Sequence, residues 1–179
     1  MQVTPAHASA ARNFCLHAHE GQTRKYSAKP YSTHPFRVAE LLNLYDGSPL
    51  SVAAGYLHDV LEAGFDTTLE QLREAFPAEI CELVERVSRY ETCLARYVGK
   101  LAQCPLACRL KIADLIANVE TLHLEPVQFS YRYLTKSLYT DRQLAHKNTP
   151  LAAAFLTEWR KQRRIYKTRN EHTKALACS

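Results

Sequence analysis

Glycine is scarce in this chain, 5 of 179 residues, and Met and Trp occur once each. A fold built on sheets and tight turns normally uses more glycine. The shortage, together with abundant Ala, Leu, Glu, Arg and Lys, favours helices. Long hydrophobic runs are missing too. Charge interrupts each apolar stretch within about a dozen residues, short of the roughly 20 that a membrane helix needs. Residues 1–11 lack the basic start and apolar run of a signal peptide, so no export signal is expected. The expected location is therefore the cytoplasm, with the six cysteines as reduced thiols. Cys104 and Cys108 stand four apart, but no further soft ligands accompany them at zinc-site spacing. They read as ordinary core or surface thiols.

What is present suits a globular protein: 46% hydrophobic and 23% charged residues, in a chain of 179 that can bury a core as one domain. The net charge of +5 is uneven, because Arg160, Lys161, Arg163, Arg164, Lys167 and Arg169 crowd one stretch. Such a run can bind nucleic acid or an acidic surface, but more often it is the solvated face of a last helix. Neither nucleic acid nor a membrane is the expected partner. The expected organisation is a helical domain over residues 1–159, then a basic helix end and tail over 160–179. A homodimer is compatible with the sequence.

Hydrophobic periodicity and caps predict helices nearly throughout, an all-α bundle. The first covers about 5–19, followed by a polar loop over 21–31. Thr33 is placed as an N-cap with Pro35 in the first turn, and Phe36, Val38, Leu41 and Leu42 carry that helix to Asp46-Gly47. Pro49 or Ser51 starts the next, whose apolar residues run through His58-Asp59 until Gly64 stops it. Thr67 or Thr68 caps a short helix through Ala75, with Glu70 placed for a capping box. Further helices are expected at about 78–88, 92–102, from Pro105 onward, 126–144 and 150–168.

The chemistry-bearing residues sit on this frame. His58-Asp59 lies at the end of an apolar run, with Glu62 at i+4 from His58 on the same side. An imidazole and carboxylate shell suits a borderline or hard divalent ion, although a capped or salt-bridged pair is the plainer reading of one such dipeptide. Lys111, Asp114 and Asn118 form a polar stripe in a helix otherwise made of Leu, Ile, Ala and Val. A carboxylate there needs a partner, and a metal or a nearby cation would serve. His34, between Thr33 and Pro35, adds an imidazole at a helix start.

The order His34, His58-Asp59, Asp114 resembles the H…HD…D pattern with which hydrolases of the HD superfamily assemble a metal site. More than these four positions agree. Arg24-Lys25-Tyr26 and Pro30-Tyr31-Ser32-Thr33-His34-Pro35 resemble the opening of the Rel/SpoT hydrolase domain. The stretch from Ala53 to Glu62 resembles its second motif, and Arg109-Leu110-Lys111-Ile112-Ala113-Asp114 with Asn118 resembles its KxADxxxN helix. The likeness covers about residues 20–122. With no synthetase sequence following within these residues, the architecture is similar to the stand-alone small alarmone hydrolases.

That resemblance implies a single HD-domain helical bundle acting in the stringent response. The implied reaction is metal-dependent hydrolysis of a purine nucleotide, the 3′-pyrophosphate of (p)ppGpp or of a relative such as (p)ppApp. It implies one divalent ion, manganese first and iron(II) or zinc otherwise, held by His34, His58, Asp59 and Asp114. Arg24 would stack on or contact the purine, and Lys25 and Lys111 would lie near phosphates. Asn118 would lie near the ribose and belong, with Glu62, to the catalytic residues. Tyr133 would sit in a helix that closes over the nucleotide. One position departs from the pattern: the family motif ends Glu-Asp, and this chain has Glu62-Ala63. Losing that carboxylate removes a general base or a water anchor, an effect on the order of 10²–10⁴ in rate. Glu62 suffices, or the substrate is that of another HD-type nucleotidase or phosphodiesterase, or the chain binds a nucleotide without turning it over.

Overall fold

The computed structural model describes residues 2–62, 66–90, 92–145 and 149–177. Ala63 and Gly64, to which the sequence assigns a site departure and a helix stop, lie outside the described residues. Within them the chain forms nine α-helices and no strand beyond an isolated bridge between Thr23 and Pro30. The helices are α1 (Pro5–Ala18), α2 (Thr33–Tyr45), α3 (Pro49–Leu57), α4 (Leu69–Ala75), α5 (Ala78–Val87), α6 (Leu94–Leu101), α7 (Pro105–Glu120), α8 (Val127–Leu144) and α9 (Thr149–Ala177). A 3₁₀ turn, Leu122–Leu124, joins α7 to α8. No described helix is long and apolar enough to cross a membrane.

Local chemistry explains most of the boundaries. Pro5, Pro49 and Pro105 open their helices at a position where the missing N–H has no intrahelical role. Ser48 caps α3 by accepting the Ser51 N–H at 3.1 Å. The N-cap position of α2 falls on Ser32, which makes no side-chain capping bond, and Thr33 is the first helical residue, its hydroxyl donating to the Pro30 carbonyl. At α4 the cap is Thr68, so the capping box closes through Gln71 rather than Glu70, which sits one residue short of the third helical position.

Two differences from the sequence reading matter for the site. α3 stops at Leu57, and His58 through Glu62 continue as turns, with the Val60 and Glu62 N–H groups bonded three residues back. The Gly55 carbonyl accepts the His58 ring Nδ1–H at 2.9 Å, a side-chain bond that competes with helix continuation. The last helix also runs to Ala177 rather than to about 168, so the boundary drawn at 159/160 falls inside it.

α7 is the central rod. Leu110, Ile112, Ala113, Leu115 and Ile116 are buried in the core, between α2 and α3 on one side and α8 and α9 on the other. Two ion pairs fix α2 antiparallel along it. Arg37 grips Glu120 with a fork of 2.9 and 2.7 Å, and Arg109 pairs with Asp46 at the other end. α3 approaches α2 closely because residue 55 is glycine. A Cβ there would lie 2.8 Å from Leu42 Cδ1 and 2.9 Å from Ala39 Cα. α9 is fastened by buried Leu151, Phe155 and Gln162, and by Trp159 donating to the Leu134 carbonyl.

Candidate metal centre and nucleotide site

Four side chains from three segments meet beside α7. His34 stands in the first turn of α2, His58 and Asp59 follow the end of α3, and Asp114 lies mid-α7; all four are buried. His34, His58 and Asp59 each place a ligand-type atom within 4.8 Å of one another. Asp114 Oδ1 is 3.1 Å from His34 Nε2 and 3.7 Å from His58 Nε2. Asp59 reaches both rings, with Oδ1 3.1 Å from His58 Nε2 and Oδ2 3.6 Å from His34 Nε2.

Neighbouring groups hold this cluster in shape. Because Gly55 accepts from His58 Nδ1, the other ring nitrogen, Nε2, faces the cluster, buried and without a hydrogen-bond partner. Tyr31 donates to Asp59 Oδ2 at 2.7 Å. Asp114 accepts from Lys111 Nζ on Oδ2 and from Asn118 Nδ2 on Oδ1, both at 2.6 Å. Asn118 Oδ1 and the Thr121 hydroxyl in turn accept from Arg24 at 3.4 and 3.3 Å.

Charge is tuned by these contacts. Burial alone would raise Asp114, but the Lys111 ammonium and the two imidazoles outweigh it and hold the carboxyl well below the usual range. Asp59 is lowered against the same burial by His58 and His34. Burial pulls the His58 imidazole down, yet Asp59 and Asp114 bring it up to about 9. Glu62, at the edge, goes the other way: burial first, and then Asp59, push its carboxyl up. Two imidazoles and two carboxylates, with an orphaned ring nitrogen aimed inward, make a donor set that fits one borderline divalent ion.

The sequence-derived residues therefore divide. His34, His58, Asp59, Asp114, Lys111, Asn118 and Arg24 form one connected group. Tyr133 feels the charges of Asp114 and Lys111 and stacks on Phe129 at 6.0 Å between ring centroids. Glu62 feels Asp59 and Lys111, and accepts the Arg89 backbone N–H at 3.4 Å. Lys25 stays apart: it is exposed, its Nζ lies over the ring of Tyr26, and its charge is felt at Glu125. Sequence reasoning missed the part played by Tyr31, although it lies in the quoted motif, and also Thr121, Arg89 and Lys136. Only the Tyr31 position had a signal, three residues before the first histidine.

A helical bundle that gathers two histidines and two aspartates at one buried point defines a class, the all-α bundles with a candidate metal centre in the core. Residues 11–97, just under half of the chain, match the family model of the HD domain. Relatives of the chain include a probable guanosine-3′,5′-bis(diphosphate) 3′-pyrophosphohydrolase of Synechocystis, 40% identical over 49% of this chain and 12% of that one. The guanosine-3′,5′-bis(diphosphate) 3′-pyrophosphohydrolases of Haemophilus influenzae and Aquifex aeolicus are 45% and 31% identical, over 59% and 80% of this chain. The chain spans 17% and 22% of those two relatives. A solved metazoan ortholog of SpoT agrees with a TM-score of 0.79 over 90% of this chain and 98% of that one, at 19% identity, a correspondence of fold.

Proposed function

We propose that this protein is a metal-dependent hydrolase of a purine nucleotide, removing the 3′-pyrophosphate of (p)ppGpp or a close relative such as (p)ppApp. The convergence of His34, His58, Asp59 and Asp114 on one buried point carries this reading. The pyrophosphohydrolase relatives support the substrate. The four residues would hold one divalent ion, manganese by preference. Bound there, the ion would polarise a phosphoryl oxygen and make water more acidic.

The chain's own groups supply the remainder. Glu62 orients the attacking water and accepts its proton, a task helped by a carboxyl that burial raises above its ordinary value. Lys111 offsets charge that develops on the phosphate. Arg24, held by Asn118 and Thr121, presents its guanidinium plane to the purine. Tyr31 keeps Asp59 in one rotamer, a positioning role.

A panel of purine nucleotides with 3′-monophosphate or 3′-diphosphate groups, assayed with manganese, iron(II) and zinc, tests the proposal. Pyrophosphate release from the 3′-diphosphates is the expected result. Release of phosphate from other esters would move the chain to another HD-type nucleotidase. Tight binding without turnover would make it a nucleotide binder, consistent with Ala63 in place of the family's aspartate.

A further inference from the structure

The carboxylate of Asp114 faces two ways. Its Oδ1 meets the imidazoles, and its Oδ2 meets Lys111, which lines a recess of about 40 Å³ together with Arg89, Tyr97, Tyr133 and Lys136. On that measure one water needs about 10–15 Å³, so the recess admits a small group and no nucleoside. Three cations from three segments converge there: Arg89 after α5, Lys111 on α7 and Lys136 on α8. Lys111 is committed to Asp114. The ammonium of Lys136 makes no ion pair among the described residues; burial, then the charges of Arg89 and Lys111, lower its pKa against the smaller opposing pull of Asp114 and Glu62. Asp114 and Glu62 offset part of this charge, and the concave grouping of the three cations favours a further anion beside Lys136.

A second recess, about 190 Å³, opens on the His34 side, where Arg24, Arg37 and Thr121 line it. The metal cluster thus stands between two cationic hollows, one at Arg24 and one at Lys136. A nucleoside carrying phosphate groups at both ends of its ribose would use both.

We propose that Arg89 and Lys136, with Lys111, form a subsite for the outer phosphoryl group of a diphosphate ester, and that Lys136 makes the chain favour a 3′-diphosphate over a 3′-monophosphate. This rests on the hydrolase reading above. No bond is made or broken in the subsite; it binds the departing pyrophosphate through charge-assisted hydrogen bonds.

Calorimetric titration of inorganic pyrophosphate and of orthophosphate into the purified protein tests it, using wild type, Lys136→Ala and Lys136→Arg. Wild type is expected to bind pyrophosphate more tightly than orthophosphate. Lys136→Ala should weaken pyrophosphate about tenfold, the loss of one hydrogen bond to a charged group. Lys136→Arg should recover most of it, and the melting temperature should be the same in all three. In turnover, Lys136→Ala should raise KM for the 3′-diphosphate substrate more than it lowers kcat. Equal pyrophosphate affinity in wild type and Lys136→Ala overturns the subsite, as does absence of pyrophosphate binding or a loss that tracks a lowered melting temperature. If pyrophosphate binding depends on Lys136 but the nucleotide panel shows no hydrolysis, the subsite stands and the hydrolase reading falls. Hydrolysis with binding indifferent to Lys136 gives the reverse.

Discussion

α7 and α9 pack against each other and both carry charge, but they handle it in opposite ways. Each charged residue of α7 has a partner: Arg109 with Asp46, Lys111 with Asp114, Asp114 also with the imidazoles, and Glu120 with Arg37. In α9, Arg160, Lys161, Arg163, Arg164 and Lys167 are exposed; Lys161 keeps only a surface pair with Glu158, Arg163 lies over the Trp159 ring, and water serves most of their charge. Arg169 is the exception in that run: half-buried, it donates to the carbonyls of Leu122 and Glu125. Desolvation makes the difference. A buried charge must be met by fixed groups, so its neighbours become an organised site, whereas an exposed charge imposes nothing on its surroundings.

The contrast is most sharply tested at Asp114. Asp114→Ala strands the Lys111 ammonium and opens the cluster, so stability should fall by about 3 kcal/mol, and metal content should drop toward zero. Urea unfolding and metal analysis measure both, and an unchanged variant would erase the distinction between the helices. Next in size is the ion itself. At a hundredfold excess over Kd, manganese should stabilise the protein by about 2.7 kcal/mol, seen as a melting point several degrees higher, with the shift reduced in His34→Ala.

Arg24→Ala should raise KM for a purine nucleotide about tenfold, the value of one charge-assisted contact, while metal content stays at the wild-type level. A KM that does not move would separate Arg24 from the substrate.

Asp141 on α8 breaks the pattern of α7. It is buried, one of its oxygens has no hydrogen-bond partner, and burial raises its carboxyl from 3.8 to about 6. Because the folded-state pKa is the higher one, its favourable contribution is complete below pH 3.8 and disappears as pH rises through about 6. Asp141→Asn should therefore stabilise the protein by about 1 kcal/mol at pH 7 to 8, a figure discounted for solvent screening. Below pH 4 the two proteins should unfold alike. Melting curves at both pH values decide it.

The smallest effects belong to α9. Arg164→Ala should change stability by less than about 0.5 kcal/mol, whereas Arg169→Ala should cost about 1 kcal/mol by taking the donor from the Glu125 carbonyl. Equal losses at both positions would mean that the basic run acts as one unit rather than as a solvated face with a single anchor.

The four clustered residues were legible because their order, His34, then His58-Asp59, then Asp114, matches the motif of the HD hydrolases, three of them beside helix ends and Asp114 mid-helix. The helices themselves followed from periodicity and from Pro49, Pro105 and their neighbours. The early end of α3 was not legible. Apolar residues continue through Val60, so the period predicts helix, and only the bond from His58 to the Gly55 carbonyl shows why it stops. Tyr31 on Asp59, and the Arg37–Glu120 clamp across 83 residues, carry no local signal at all.

What the sequence determined by itself was therefore the class of fold and the identity of the clustered side chains, since periodicity, capping and ligand chemistry act over a few residues. Tertiary structure alone decided which of the many cations come together. Lys136 and Arg89 look like Arg163 and Lys167 in the sequence, and Lys25 sits beside Arg24 in the same motif. Lys136 and Arg89 share a recess with Lys111, and Lys25 does not. A charge acquires its meaning from the groups that replace its water, and those groups arrive from distant parts of the chain.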